Sequence, residues 1–227
     1  MEVAQILMEV VRRHPNAYEP ALALGQIGDM RAERILLDTI ESRGRLARAQ
    51  SFALYMLKSK KLVPILVRHL EDDAAISILV EWKDQRAVEP LKKFIANGHD
   101  RTGKARLALA RIESKNNAEL ATRLIELLKD KSIGDIRWQI IEPLGATRDP
   151  RGIEPLVAVG TTCGDDLEWS QVVDALQMIG GEKAIAALRR LLERDFSTLV
   201  IDGKPPYRKP QKEALDAIKR LTDKKAE

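Results

Sequence analysis

A block of thirteen residues returns along this chain. The run Leu24-Gly25-Gln26-Ile27-Gly28-Asp29-Met30-Arg31-Ala32-Glu33-Arg34-Ile35-Leu36 realigns without a gap on the stretch from Leu144 to Leu156, and again on the stretch from Leu176 to Leu188. Weaker copies start at Leu54 and Leu79, and a degenerate one at Leu109, with Ile112 in register and its turn lengthened through Ser114-Lys115-Asn116-Asn117. The anchoring leucines therefore step by 30, 25, 30, 35 and 32 residues. A period in this range marks an array of supersecondary units, each unable to bury its apolar face alone.

Within a unit the apolar spacing is helical. Ala21, Leu24 and Ile27 share one face, and Ile35, Leu36 and Ile40 share another, following the i, i+3, i+4 rule. Each unit therefore reads as a helix pair. Between the helices, Asp29, Ser59, Asp84 and Asp149 fill one column, where a side-chain oxygen can accept from the first free N–H groups of the next helix. Pro150 follows at a position suited to a first helical turn, and Gly28 suits the left-handed end of the preceding helix. No strand-like alternation of comparable strength occurs.

Stacked pairs of this kind predict an all-α fold: an α-solenoid, or superhelix, of about six helix pairs with a capping helix at each end. The expected bounds, within a single repeat domain over 1–227, are an N-terminal cap over 1–16, six repeats over 17–195, an irregular Pro-rich basic loop over 196–210 and a C-terminal cap over 211–227. The caps rest on the amphipathic sets Val3-Ile6-Leu7-Val10-Val11 and Ala214-Leu215-Ala217-Ile218-Leu221, whose other faces are charged.

The pattern Ala-Leu-Gly-x-Ile-Gly-Asp-x-Arg-Ala with a later leucine, read here from Ala23 to Leu36, resembles the HEAT-like repeat family first named for phycobilisome bilin lyases. The resemblance covers about residues 17–195 and implies the solenoid. It does not imply one activity, since folds of this kind carry scaffolds, enzyme subunits and nucleic-acid binders alike.

Composition narrows the classes further. Apolar residues make up 44%, charged residues 32% and aromatics 4% of 227 residues, too apolar for a disordered chain and too polar for a membrane span, which needs about 20 consecutive apolar residues. The lone Cys163 cannot form an internal disulfide, and the opening residues lack a signal-peptide layout, so a cytoplasmic location is expected. The net charge of +4 divides unevenly, with a surplus over residues 1–110 and over 203–227 and a deficit over 111–202.

Enzyme readings find little purchase. The deoxyhypusine hydroxylase branch of these repeat proteins holds two irons with His-Glu pairs, whereas His14, His69 and His99 are followed by Pro15, Leu70 and Asp100 and fall in different units. Cys163, in a link where a thiol could be reachable, is followed closely by Asp165 and Asp166, which oppose thiolate formation. A bilin lyase subunit would need an aromatic or cationic pocket, and several of the nine aromatics have packing roles: Trp82 falls in the core column of Ile27 and Leu57, and Phe94 on the buried side of a second helix. No catalytic residue, metal or cofactor is expected.

The reading that remains is a non-enzymatic scaffold or adaptor whose concave face and edge loops engage another protein. On the inner, second-helix face the candidate contacts are Arg34, Arg68, Glu89, Lys93, Glu126, Glu154 and Arg190, with Glu89 and Lys93 as an i, i+4 pair. On the irregular links they are Trp169, Tyr207 and Arg208. The alternative is a nucleic-acid binder using a basic column two residues after each capping position, formed by Arg31, Lys61, Arg86, Arg151 and Lys183. The structural role for that column is a ladder in which these residues pair with capping aspartates of adjacent units. A bilin lyase-type subunit is the second alternative.

Overall fold

The computed structural model describes residues 3–43, 46–100, 102–130, 136–164, 166–193 and 209–223. Fourteen α-helices and no strand occur among them. They form an all-α solenoid fold, its helices in chain order being α2 (Tyr18–Ile27), α3 (Glu33–Arg43), α4 (Arg48–Met56), α5 (Val63–Leu66), α6 (Asp73–Trp82), α7 (Val88–Ala96), α8 (Lys104–Glu113), α9 (Asn117–Lys129), α10 (Arg137–Ala146), α11 (Ile153–Thr162), α12 (Asp166–Ile179) and α13 (Gly181–Leu192). Helix α1 (Val3–Arg13) precedes them and α14 (Lys209–Asp223) follows. Every anchoring leucine lies on the first helix of its pair, as the repeat spacing requires. Helix α14 begins within the stretch expected to be a loop, because Pro210 falls in its first turn, where the missing N–H breaks no bond.

The chain divides into two compact units, one of Met1–Asp100 with Lys104–Glu113, the other of Arg101–Gly103 with Ser114–Glu227. In the first, α1 packs on α2 and α3, α2 on α4, and α8 on both α6 and α7. Leu24, Leu36, Leu54, Leu66, Leu79 and Leu91 are fully buried there. In the second, α12 is the hub, touching α10, α11, α13 and α14, over a core that includes Leu144, Leu156, Trp169, Leu176 and Leu188.

The glycine after the anchoring leucine has a role beyond turns. A Cβ on Gly145 would stand 2.5 Å from the Cα of Ala175, and one on Gly25 would stand 2.7 Å from the Cα of Ala53. The Leu-Gly pair thus lets α10 approach α12, and α2 approach α4, backbone to backbone.

The inter-helix turns repeat one construction. Asp29, Asp84 and Asp149 each begin a single 3-10 turn and accept from the backbone N–H two residues on, at 2.9, 3.1 and 2.9 Å. The same carboxylates take the guanidinium of Arg31, Arg86 and Arg151, with Nη2 to Oδ2 distances of 2.6, 2.8 and 2.6 Å. This corrects the expected ladder: each arginine pairs within its own turn, because two residues of 3-10 backbone bring its side chain back over the cap. The links to the preceding pair run instead to backbone and hydroxyl acceptors. Arg86 Nη2 donates to the Lys60 carbonyl at 3.3 Å, and Arg151 donates to the Ala118 carbonyl at 2.8 Å and Thr122 Oγ1 at 3.1 Å. The Ser59 turn departs from this construction and from the expectation of its column: the Ser59 hydroxyl caps no N–H but donates to Glu33 at 2.6 Å, and Glu33 also pairs with Lys61.

Those bonds hold the three aspartates below the usual carboxylate range, the side-chain bond from the arginine being the largest cause in each. They are more acidic folded than unfolded, so unfolding takes up protons. Their contribution is whole above the ordinary aspartate value of about 3.9 and is lost as pH falls through the lower folded values. Thermal melts from pH 7 downward are therefore expected to show a shallower acid loss of Tm in the Asp84→Asn, Asp149→Asn double variant than in wild type. Parallel pH profiles would contradict this.

Candidate binding groove

Residues of α9 and α11 in the C-terminal unit frame a concavity. Helices α9 and α11 stand apart, and between them lies a groove of about 800 Å³. Its apolar surface comes from Ile125 and Leu128 on α9 and Pro155, Ala158 and Val159 on α11; Glu126, Lys129, Arg137 and Glu154 add charge. The helical period explains this placement, since Thr122, Ile125, Glu126 and Lys129 recur on one face of α9, as do Glu154, Ala158 and Thr162 on α11.

Two bonded contacts define the groove. Near the start of α11, Arg151 clamps the turn onto Ala118 and Thr122 of α9. On α10, Arg137 Nε lies 3.0 Å from Oε1 of Glu168, a nearly buried carboxylate of α12. Beyond α11, Glu154 Oε2 lies 2.7 Å from Arg190 Nη2, joining α11 to α13.

Of the residues expected on the inner face, Glu126 and Glu154 line this groove and Arg190 binds Glu154. Arg34, Arg68, Glu89 and Lys93 belong to the other unit. Arg34 lies 3.8 Å from Asp38 one turn on, with both side chains largely in water. Arg68 is exposed but sits beyond the end of α5 rather than on a helix face, because the chain leaves that helix after Leu66 through successive turns. Glu89 does not pair with Lys93; it takes Lys92 at 3.2 Å, and Lys92 also reaches Glu113 at 3.0 Å on α8. The second carboxylate draws the lysine that lies toward α8.

The links differ more from expectation. Trp169 is 0% exposed within α12, so it supports packing and offers no edge contact. Cys163 is likewise buried at the end of α11, its Sγ 3.3 Å from the Gly160 carbonyl, so the expected reachable thiol is enclosed. Tyr207 and Arg208 lie outside the described residues. Trp82 and Ile27 are also less buried than their column suggested, Ile27 being largely exposed.

In the basic column, Arg31, Arg86 and Arg151 are held by aspartates and Lys61 by Glu33; Lys183 is exposed on α13. Four of the five cations are therefore already matched by carboxylate. Arg137, Ile125 and Leu128 were not singled out from sequence. The periodicity of α9 could have located Ile125 and Leu128, but Arg137 joins them only through the packing of α10 on α9.

Fold and groove together define an all-α solenoid with an open, mixed-charge concavity. No protein-family model matches the sequence. No curated protein matches it either. Among solved structures, human deoxyhypusine hydroxylase in complex with glycerol is similar, at 18% identity over 96% of this chain and 84% of that one, with a TM-score of 0.36. No described helix is long and apolar enough to cross a membrane.

Proposed function

We propose that this chain is a HEAT-like repeat scaffold, without catalytic activity of its own, that holds another protein on the exposed faces of its second helices in the cytoplasm. The observation that carries this reading is the groove between α9 and α11, whose apolar lining is bordered by charges of both signs. Apolar surface supplies affinity on burial, while Glu126, Lys129, Glu154 and Arg190 select orientation and partner. The clamp of Arg151 favours a preformed groove, which lowers the ordering cost of binding.

The test is affinity capture with the wild-type chain and a Glu126→Lys, Glu154→Lys, Arg190→Glu variant, each followed by mass spectrometry of the retained proteins. A protein held by wild type and reduced at least tenfold on the variant, at equal melting temperature, is the expected result. Equal retention by both would remove the groove from partner binding.

A further inference from the structure

A second surface in the N-terminal unit sets an exposed aromatic ring beside a group of lysines, while the two rings behind it, Tyr55 and Trp82, pack against the core. Phe52 and Tyr55 on α4 and Trp82 on α6 form a row of stacked rings. Neighbouring centroids lie 5.8 Å apart, with planes inclined by only 23° and 19°. Phe52, at the end of the row, is 45% exposed. Over Trp82, the Nζ of Lys60 sits 4.1 Å from the ring centroid.

The same end of these helices carries two further lysines in an uncommon backbone conformation. Lys58 and Lys83 have φ of 55° and 46°, the left-handed region that Gly28 fills at the equivalent place in the first repeat. Glycine would adopt it without the steric penalty a Cβ brings. Lys58 is tied to the ring row by chain, its N–H donating to the Tyr55 carbonyl at 2.9 Å, and Lys83 follows Trp82 directly.

These lysines are electrically distinct from their neighbours. Lys61 and Arg86 on the same edge are matched by Glu33 and Asp84. Among the described residues, Lys58, Lys60 and Lys83 have no carboxylate at ion-pair distance. Asp84 lies near Lys60 but is bonded to Arg86, and Glu81 is the exposed carboxylate at the end of α6. The local balance is positive. A helix C-terminus favours a cation and core packing holds Tyr55 and Trp82, but neither accounts for the exposed Phe52 ring beside the lysines.

We infer that the exposed Phe52 ring, held by its stack on Tyr55 and Trp82, forms with Lys58, Lys60 and Lys83 a platform for single-stranded nucleic acid, a base stacking on Phe52 and the ammonium groups meeting phosphates. Unstacked bases present the π-faces such a ring can use, whereas a duplex hides them. An acidic peptide would engage the lysines and leave Phe52 idle. The site is separate from the groove between α9 and α11 and from the neutralised basic column.

Fluorescence anisotropy of labelled oligo(dT) and oligo(U) of about 15 nucleotides tests the assignment. Binding that falls about 20-fold between about 50 and 200 mM salt is expected, as three phosphate contacts on a single strand imply. Phe52→Ala should weaken it by about 5- to 150-fold, the range of one lost base stack. The Lys58→Gly, Lys83→Gly double variant should weaken it and flatten its salt dependence while melting no lower than wild type, because glycine suits both backbone positions. That variant separates lost binding from lost folding. A duplex of equal length should bind more weakly than either single strand. No binding at the lower salt, binding indifferent to Phe52→Ala, or equally tight capture of polyglutamate would overturn the proposal.

Discussion

Replacing Trp169 by alanine is expected to lower stability by about 3–5 kcal/mol, the usual range for deleting a buried aromatic and leaving a cavity. For a chain of this length that corresponds to a fall in Tm of about 6–20 °C. The reason is position as much as size. Trp169 has no exposed surface and belongs to α12, the helix against which α10, α11, α13 and α14 pack, so a void there loosens several contacts at once. Trp138 on α10 is the natural control, since half its surface is in water and its removal empties no interior space. Thermal melts followed by circular dichroism decide the matter. Equal losses for Trp169→Ala and Trp138→Ala would contradict the buried role given to Trp169.

The second large effect is expected from adding atoms instead of removing them. Gly145→Val should destabilise by about 2–3 kcal/mol, within the range found for overpacked interiors. Its new Cβ would meet the Cα of Ala175 at 2.5 Å and its Cβ at 2.7 Å. The obstacle on α12 is backbone and cannot swing aside, so α10 has to shift. A better helix former than glycine recovers at most about 1 kcal/mol. Gly25→Val should behave alike against Ala53, though Met56, whose Cε lies 2.5 Å from that Cβ, has a flexible end that can move. At Gly164 a Cβ meets nothing within 4 Å, so Gly164→Ala serves as the neutral reference. A Gly145→Val melt indistinguishable from that reference would show that the helices do not depend on this approach.

Much of the architecture was readable from residue spacing. The anchoring leucines at 24, 54, 79, 144 and 176 are buried, and the capping aspartates 29, 84 and 149 bond where their column placed them. Both signals are short-range: a leucine every three or four residues marks a helix face, and an aspartate two residues before a free N–H caps it whatever lies beyond. The candidate site was less legible. Glu126 and Glu154 were found because helical period alone predicts which residues share a face. Lys92 in place of Lys93 as the partner of Glu89, and Arg137 at the groove, were not found.

The division follows the distance over which each force acts. Repeat length, helix pairing and the capped turns arise from residues a few positions apart, so composition and order along the chain suffice to establish them. Trp169 in the interior, Ala175 lying against Gly145, the Arg137–Glu168 bond and the opening between α9 and α11 involve residues far apart along the chain. They depend on how closely whole helices settle against one another. That spacing follows from the combined side-chain volumes at each interface, and it determines which charged and apolar groups remain facing water.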